Sequence, residues 1–172
     1  MPDRPHEMLS GVRLPDQTFD ADELFYYRVH PDLIQSEETV DPIQVHCPDL
    51  SSNRERYSES WYVLYPRDKF GNFAVFRFPG SEVLPEVSSP QQGGGTPTTY
   101  AVRTVHDPEV DNYGHCETRL YRGEDRMRPN KVSSGAKKIF REYMSRILKL
   151  ERRAGLPFPP SADPASLDLI AP

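Results

Sequence analysis

The sequence predicts an α+β domain: a mostly antiparallel sheet of about five strands with one long C-terminal amphipathic helix packed on it. Three observations carry this expectation. Short aromatic and β-branched runs recur between residues 24 and 122, separated by Pro, Gly, Asn and Asp. One long segment, 135–153, has helical rather than strand periodicity. The two ends, 1–22 and 154–172, are polar and rich in proline, which leaves 23–153 as a single folding unit of ordinary domain size.

Taken in order, residues 1–22 read as a flexible N-terminal arm. Leu24-Phe25-Tyr26-Tyr27-Arg28-Val29 reads as a first strand, closed by Pro31, which lacks a ladder donor. Residues 35–60 are mostly polar and end in the string Asp49 to Glu59. Trp61–Tyr65 and Phe73–Phe78 read as a hairpin whose connection, Pro66 to Asn72, has good turn chemistry. Residues 79–98, with Gly93-Gly94-Gly95, read as a flexible loop. They are not a phosphate cradle, since no Lys-Ser/Thr ending follows. Thr99–His106 alternates as a half-buried strand does, and Glu117–Arg122 reads as its return, closed by Gly123-Glu124-Asp125. Ser133 and Ser134 are N-caps for the 135–153 helix. Ala136, Ile139, Phe140, Tyr143, Met144, Ile147, Leu148 and Leu150 fill one half of its wheel, and Gly155 and Pro157 stop it. Residues 154–172 read as a Pro-rich tail.

Composition narrows the function classes. No apolar run approaches the roughly 18 residues that span a bilayer, and the N-terminus has no apolar signal region, so no membrane association is expected. Cys47 and Cys116 are too few for a disulfide framework. A cytoplasmic location with reduced thiols is the simplest expectation. The net charge of −5 conceals an asymmetry. Residues 1–118 hold 9 Lys+Arg against 20 Asp+Glu, while 119–153 hold 12 against 4. The basic third either neutralises the body or faces a polyanion.

The densest chemistry is the turn His106-Asp107-Pro108 to Asn112-Tyr113-Gly114-His115-Cys116-Glu117. Four readings compete for it. His46-Cys47 and His115-Cys116 offer zinc ligands, although no CxxC or HxxxH spacing is present and neighbours in a strand point to opposite faces. Cys116, His115 and an acid supply the parts of a thiol hydrolase. Arg28, then Tyr57-Ser58, then Glu117 have the order of the Arg–Ser–Glu set of ADP-ribosyltransferases, in which Arg pairs with a phosphate of NAD and Glu stabilises the oxocarbenium-like sugar. The fourth is binding, with Asn53, Arg54, Tyr57 and Ser58 beside His106, Asp107, Asn112, Tyr113, His115 and Glu117 in one polar patch. The bland alternative is that the histidines only pin the turn through backbone carbonyls.

The strings Glu23 to Pro31, Asp49 to Arg54 with Tyr57-Ser58-Glu59, and Val105 to Pro108 with Asp111 to His115 and Glu117 resemble a group of short uncharacterised bacterial proteins. So does the basic stretch Lys137-Lys138-Ile139-Phe140-Arg141, and the likeness spans about residues 23–150. The resemblance implies a small bacterial protein, an accessory of a larger system such as phage defence, and supplies no catalytic residues. The expected function is therefore a non-enzymatic binding or accessory module with no cofactor and no metal. Its expected partner is a protein. Nucleic acid is a second candidate, through Arg146, Lys149 and Arg153 on the basic face of 135–153. The alternatives are a Cys/His hydrolase, a zinc-binding protein and an NAD-dependent transferase.

Overall fold

The computed structural model describes residues 8–11, 13–35, 38–89, 96–122 and 131–158. Seven strands form one sheet: β1 (Leu24–Val29), β2 (Asp49–Arg54), β3 (Ala74–Pro79), β4 (Glu86–Ser89), β5 (Thr98–His106), β6 (His115–Arg122) and β7 (Lys149–Arg152). Their order is β4-β5-β6-β2-β1-β3-β7 and every pairing is antiparallel. The sheet curls into a half-barrel. Beside a single turn, α1 (Arg67–Phe70), the one substantial helix among the described residues is α2 (Ser134–Ile147).

This corrects the expected five-strand sheet with a long terminal helix. Four of the five expected strands form, as β1, β3, β5 and β6. The fifth, Trp61–Tyr65, belongs instead to a 3-10 segment, Ser60–Leu64, and makes no hairpin with β3. All five of these consecutive side chains are buried. A continuous apolar run fits a buried helical turn as well as a strand, so periodicity could not separate the two.

Three further strands were hidden. Asp49–Arg54 looks like a loop by composition but lies at the centre of the sheet. β4 falls in the proline-rich stretch, and β7 in what looked like the last turns of the helix. The Ser133 cap is real, its Oγ accepting from the Ala136 N–H at 3.2 Å. But the backbone turns extended at Leu148, and Leu150 pairs with Phe76 of β3. Apolar residues at 148 and 150 suit a strand edge as well as a helix stripe. The expected Gly93–Gly95 loop and Gly123–Asp125 stop, residues 1–7 of the arm and 159–172 of the tail lie outside the described residues.

The sheet separates two apolar clusters. On one face, Phe25, Tyr27, Phe76, Phe78, Val102, Cys116 and Leu120 pack against Ala136, Phe140, Met144 and Ile147 of α2. This is the helix face. On the other, Tyr26 and Val75 pack with Trp61 to Tyr65 and Met8. No helix among the described residues is long and apolar enough to cross a membrane.

Phe140 is buried in the core while Ile139, next to it, is 36% exposed. Phe140→Ala should therefore cost about 3–5 kcal/mol in urea unfolding, and Ile139→Ala about 0.5 kcal/mol. Equal losses would mean that α2 docks by a different face.

Candidate functional site

Strand alternation decides where each expected site residue points. His106 pairs with Cys116, and Asn53 with His115. Side chains of paired residues share a face, and neighbours in a strand alternate. Arg54, His106 and Cys116 therefore lie on the helix face. Asn53, His115 and Glu117 lie on the opposite one. The 53–59 string and the His-rich turn do meet, but the sheet divides their side chains into two groups.

The first group is closed. Arg54 has no exposed surface, and each of its three guanidinium nitrogens donates a hydrogen bond. Its Nε and Nη2 donate to the two carboxylate oxygens of buried Glu23, each at 2.7 Å. Nη1 donates to the Asp16 carbonyl at 2.6 Å, and Nη2 also to the Thr18 carbonyl. Phe19 and Tyr57 flank it with their rings. His106 accepts the Asp16 N–H on Nδ1 at 2.8 Å and donates from Nε2 to the Tyr113 carbonyl. Its ring stacks on Tyr57 and meets Tyr113 edge-on. The Tyr57 hydroxyl donates to Asp16, and the Tyr113 hydroxyl to the Leu14 carbonyl.

Residues 13–23 thus run across this group and are bonded to it. Ser58 is buried beside Gly114, where an added Cβ would stand 3.2 Å from the Ser58 Cβ. These residues hold the arm and the turn in place.

The second group opens onto a cleft. β1 and β2 pair only through Phe25↔Arg54 and Tyr26↔Asn53. Beyond that point β1 continues along β3 and β2 along β6, and the two strands part. The gap is a cleft of ≈ 400 Å³, a volume typical of small-ligand sites. From β1 comes Arg28, from just beyond it His30, from β2 Ser51 and Asn53, from the turn and β6 Asn112 and His115. Phe70, Phe73 and Val63 form an apolar wall, and His46 and Glu109 reach the rim. The Arg28 guanidinium lies 3.7 Å from the centre of the Phe70 ring, and its Nη1 donates to the Val63 carbonyl at 3.0 Å. Arg28 and Glu109 are the permanent charges of the lining, and His30, His46 and His115 add three imidazoles.

The carboxamides of Asn53 and Asn112 bond each other reciprocally at 3.0 and 2.9 Å, tying the turn to β2. His115 donates from Nδ1 to the Asp107 carbonyl at 2.7 Å. Glu117 is next to Ser51 in the ladder and accepts from Arg119, which also bonds the Asp107 carboxylate at 2.6 Å.

Of the cleft lining, sequence reasoning found Asn53, Asn112 and His115 in its polar patch and Arg28 in the Arg–Ser–Glu order, but missed Ser51, Phe70 and Phe73; Glu117 lies on the same face of the sheet, outside the lining. The signal for Arg28 was available: it interrupts an otherwise apolar strand, two residues from Tyr26 and on the same face.

Several expected sites are not assembled. Cys116 is buried on the face opposite His115, and burial pushes its thiol far up from the ordinary range. Burial likewise pushes Cys47 up to about 11. Neither thiol is a ready nucleophile, because the thiolate is the reactive form. Among the described residues no group of three or more His, Cys, Asp or Glu could hold a metal ion. The basic residues do not share one helix face: Arg146 lies in the last turn of α2, Lys149 sits in β7 and bonds the Arg146 carbonyl, and Arg153 pairs with Glu38, while Arg146, Lys149 and Glu38 line one surface depression.

Comparison with protein families, with curated proteins and with solved structures finds no match.

The His106 ring is neutral in the folded protein, since Nδ1 accepts and Nε2 donates. Burial lowers its pKa, with the nearby Arg54 charge acting in the same direction. The unfolded chain therefore binds this proton more readily than the folded one. The stabilisation is complete above the ordinary histidine value of about 6.5 and is lost as pH falls below it. Urea midpoints should drop between pH 7 and pH 5, with a slope from this group of at most about 1.4 kcal/mol per pH unit. His106→Gln should flatten that slope. An unaltered slope in the variant would assign it to other groups.

Proposed function

We propose that the protein binds NAD in the cleft between β1 and β2 and transfers its ADP-ribose portion. One observation carries the reading. Arg28 of β1, Ser51 of β2 and Glu117 of β6 lie on the same face of three adjacent strands, and the ladder opens between the first two. Extending the Tyr26↔Asn53 register by two residues would set Arg28 across from Ser51, and Ser51 is already across from Glu117. The Arg–Ser–Glu order noted in the sequence thus has a spatial counterpart, with Ser51 rather than Ser58 as its serine. Ser58 is buried near Gly114, on the side of Tyr57.

The lining chemistry supports the same reading. Arg28, on a ring that fixes its guanidinium, presents a planar cation suited to a phosphate. Phe70 and Phe73 offer an apolar wall to a base or nicotinamide ring. Asn53, Asn112 and Ser51 supply neutral hydrogen-bonding groups for a ribose. Glu117, oriented by Arg119, places a carboxylate beside the serine, where positive charge builds on the sugar as its bond to nicotinamide breaks. The electron pair of that C1′–N bond leaves with nicotinamide, and the acceptor attacks C1′. The non-enzymatic patch survives within this reading only in part. Arg54, Tyr57, His106 and Tyr113 serve the scaffold, Asn53, Asn112 and His115 line the cleft, and Glu117 stands next to it across from Ser51.

Calorimetric titration with NAD tests this directly. The protein should bind NAD, and Arg28→Ala should weaken binding about tenfold or more. Glu117→Gln should retain binding while lowering nicotinamide release by about 10²–10³-fold. The absence of heat or thermal shift with millimolar NAD would overturn the proposal.

A further inference from the structure

We infer that His115 is the group that takes the proton from the acceptor in this reaction, an inference that rests on the proposed NAD reading. The Asp107 carbonyl can only accept, so the proton of the neutral ring is on Nδ1. That leaves Nε2 with its lone pair, on a ring that lines the cleft. His115 is two residues before Glu117 and shares its face, so its ring stands one step along β6 from the carboxylate.

Other basic groups are worse placed. His30 caps the short turn at Pro31–Leu33 through its Nδ1 and has its ring edge-on to Phe73. His46 is exposed at the rim. Glu117 itself is engaged by Arg119. The Asn53–Asn112 amide pair holds the turn whose carbonyl orients His115, so the ring is fixed before any ligand arrives.

The step balances with water as the acceptor. The water oxygen forms a bond to C1′ of the ribose as the C1′–N bond breaks toward nicotinamide. The water proton passes to His115 Nε2, and the imidazolium returns it to solvent. The same group would serve any hydroxyl acceptor.

His115→Asn is the informative variant, because its amide N–H can still donate to the Asp107 carbonyl while no basic nitrogen remains. It should release nicotinamide about a hundredfold or more slowly, with KM for NAD unchanged. His115→Ala should be equally slow and should recover part of its rate with added imidazole. His115→Asn turning over NAD at the wild-type rate would overturn the inference and leave the NAD reading standing. So would an unrescued His115→Ala whose loss lies wholly in KM. A wild-type protein that neither binds nor cleaves NAD would remove both.

Discussion

A single buried guanidinium, that of Arg54, ties three separate parts of the chain together. Through Glu23 it fixes the approach to β1, through the Asp16 and Thr18 carbonyls it binds the arm, and as the last residue of β2 it pairs with Phe25. A charge taken out of water needs excellent geometry to be tolerated, and removing one partner of such a pair commonly costs about 3–5 kcal/mol. Here four of the five guanidinium N–H groups donate hydrogen bonds, and Nη1 also lies 3.7 Å from the Asp16 carboxylate. The consequence is positional. Arg54 and Asn53 are the only residues of β2 that pair with β1, so the anchored end of the ladder is also the end from which the cleft opens.

The centre of a sheet is an expensive place for polar side chains. Ser52, Asn53 and Arg54 are nevertheless consecutive and buried in the middle strand. Arg54 is compensated on the helix face and Asn53 by Asn112 on the other. A seamless apolar ladder would be simpler to stabilise, yet it would close the cleft. Local sequence rules tend to be broken where a protein maintains a site, and β2 breaks them along most of its length. The proposed ligand site is the gap that results.

The aromatic strands β1, β3 and β5 were legible because their residues suit a pleated, half-buried surface. The buried face of α2 was legible over 136–147 because its period is helical. β2 was not, because Asp, Ser, Asn and Arg are poor strand formers, and only tertiary partners many residues away satisfy them. β7 was not, because Leu148 and Leu150 fit both periods. The site was half legible. Asn53, Asn112, His115 and Glu117 stood out as a dense polar string, yet sequence proximity suggested one patch. Alternation across β5 and β6 instead sends His106 and His115 to opposite sides. Arg28 stood out as a charge in an apolar strand, but its place near Ser51 follows from β1 and β2 parting after two paired residues, a feature of long-range register.

The central claim is that the β1–β2 gap is the ligand site. Backbone amide NMR spectra of the uniformly ¹⁵N-labelled protein, recorded as NAD is added, test it most directly. The account predicts saturable shift changes centred on Arg28, Ser51, Asn53, Phe70 and His115, with the α2 amides little moved. Changes confined to other surfaces, such as the end of α2 and β7, would contradict it.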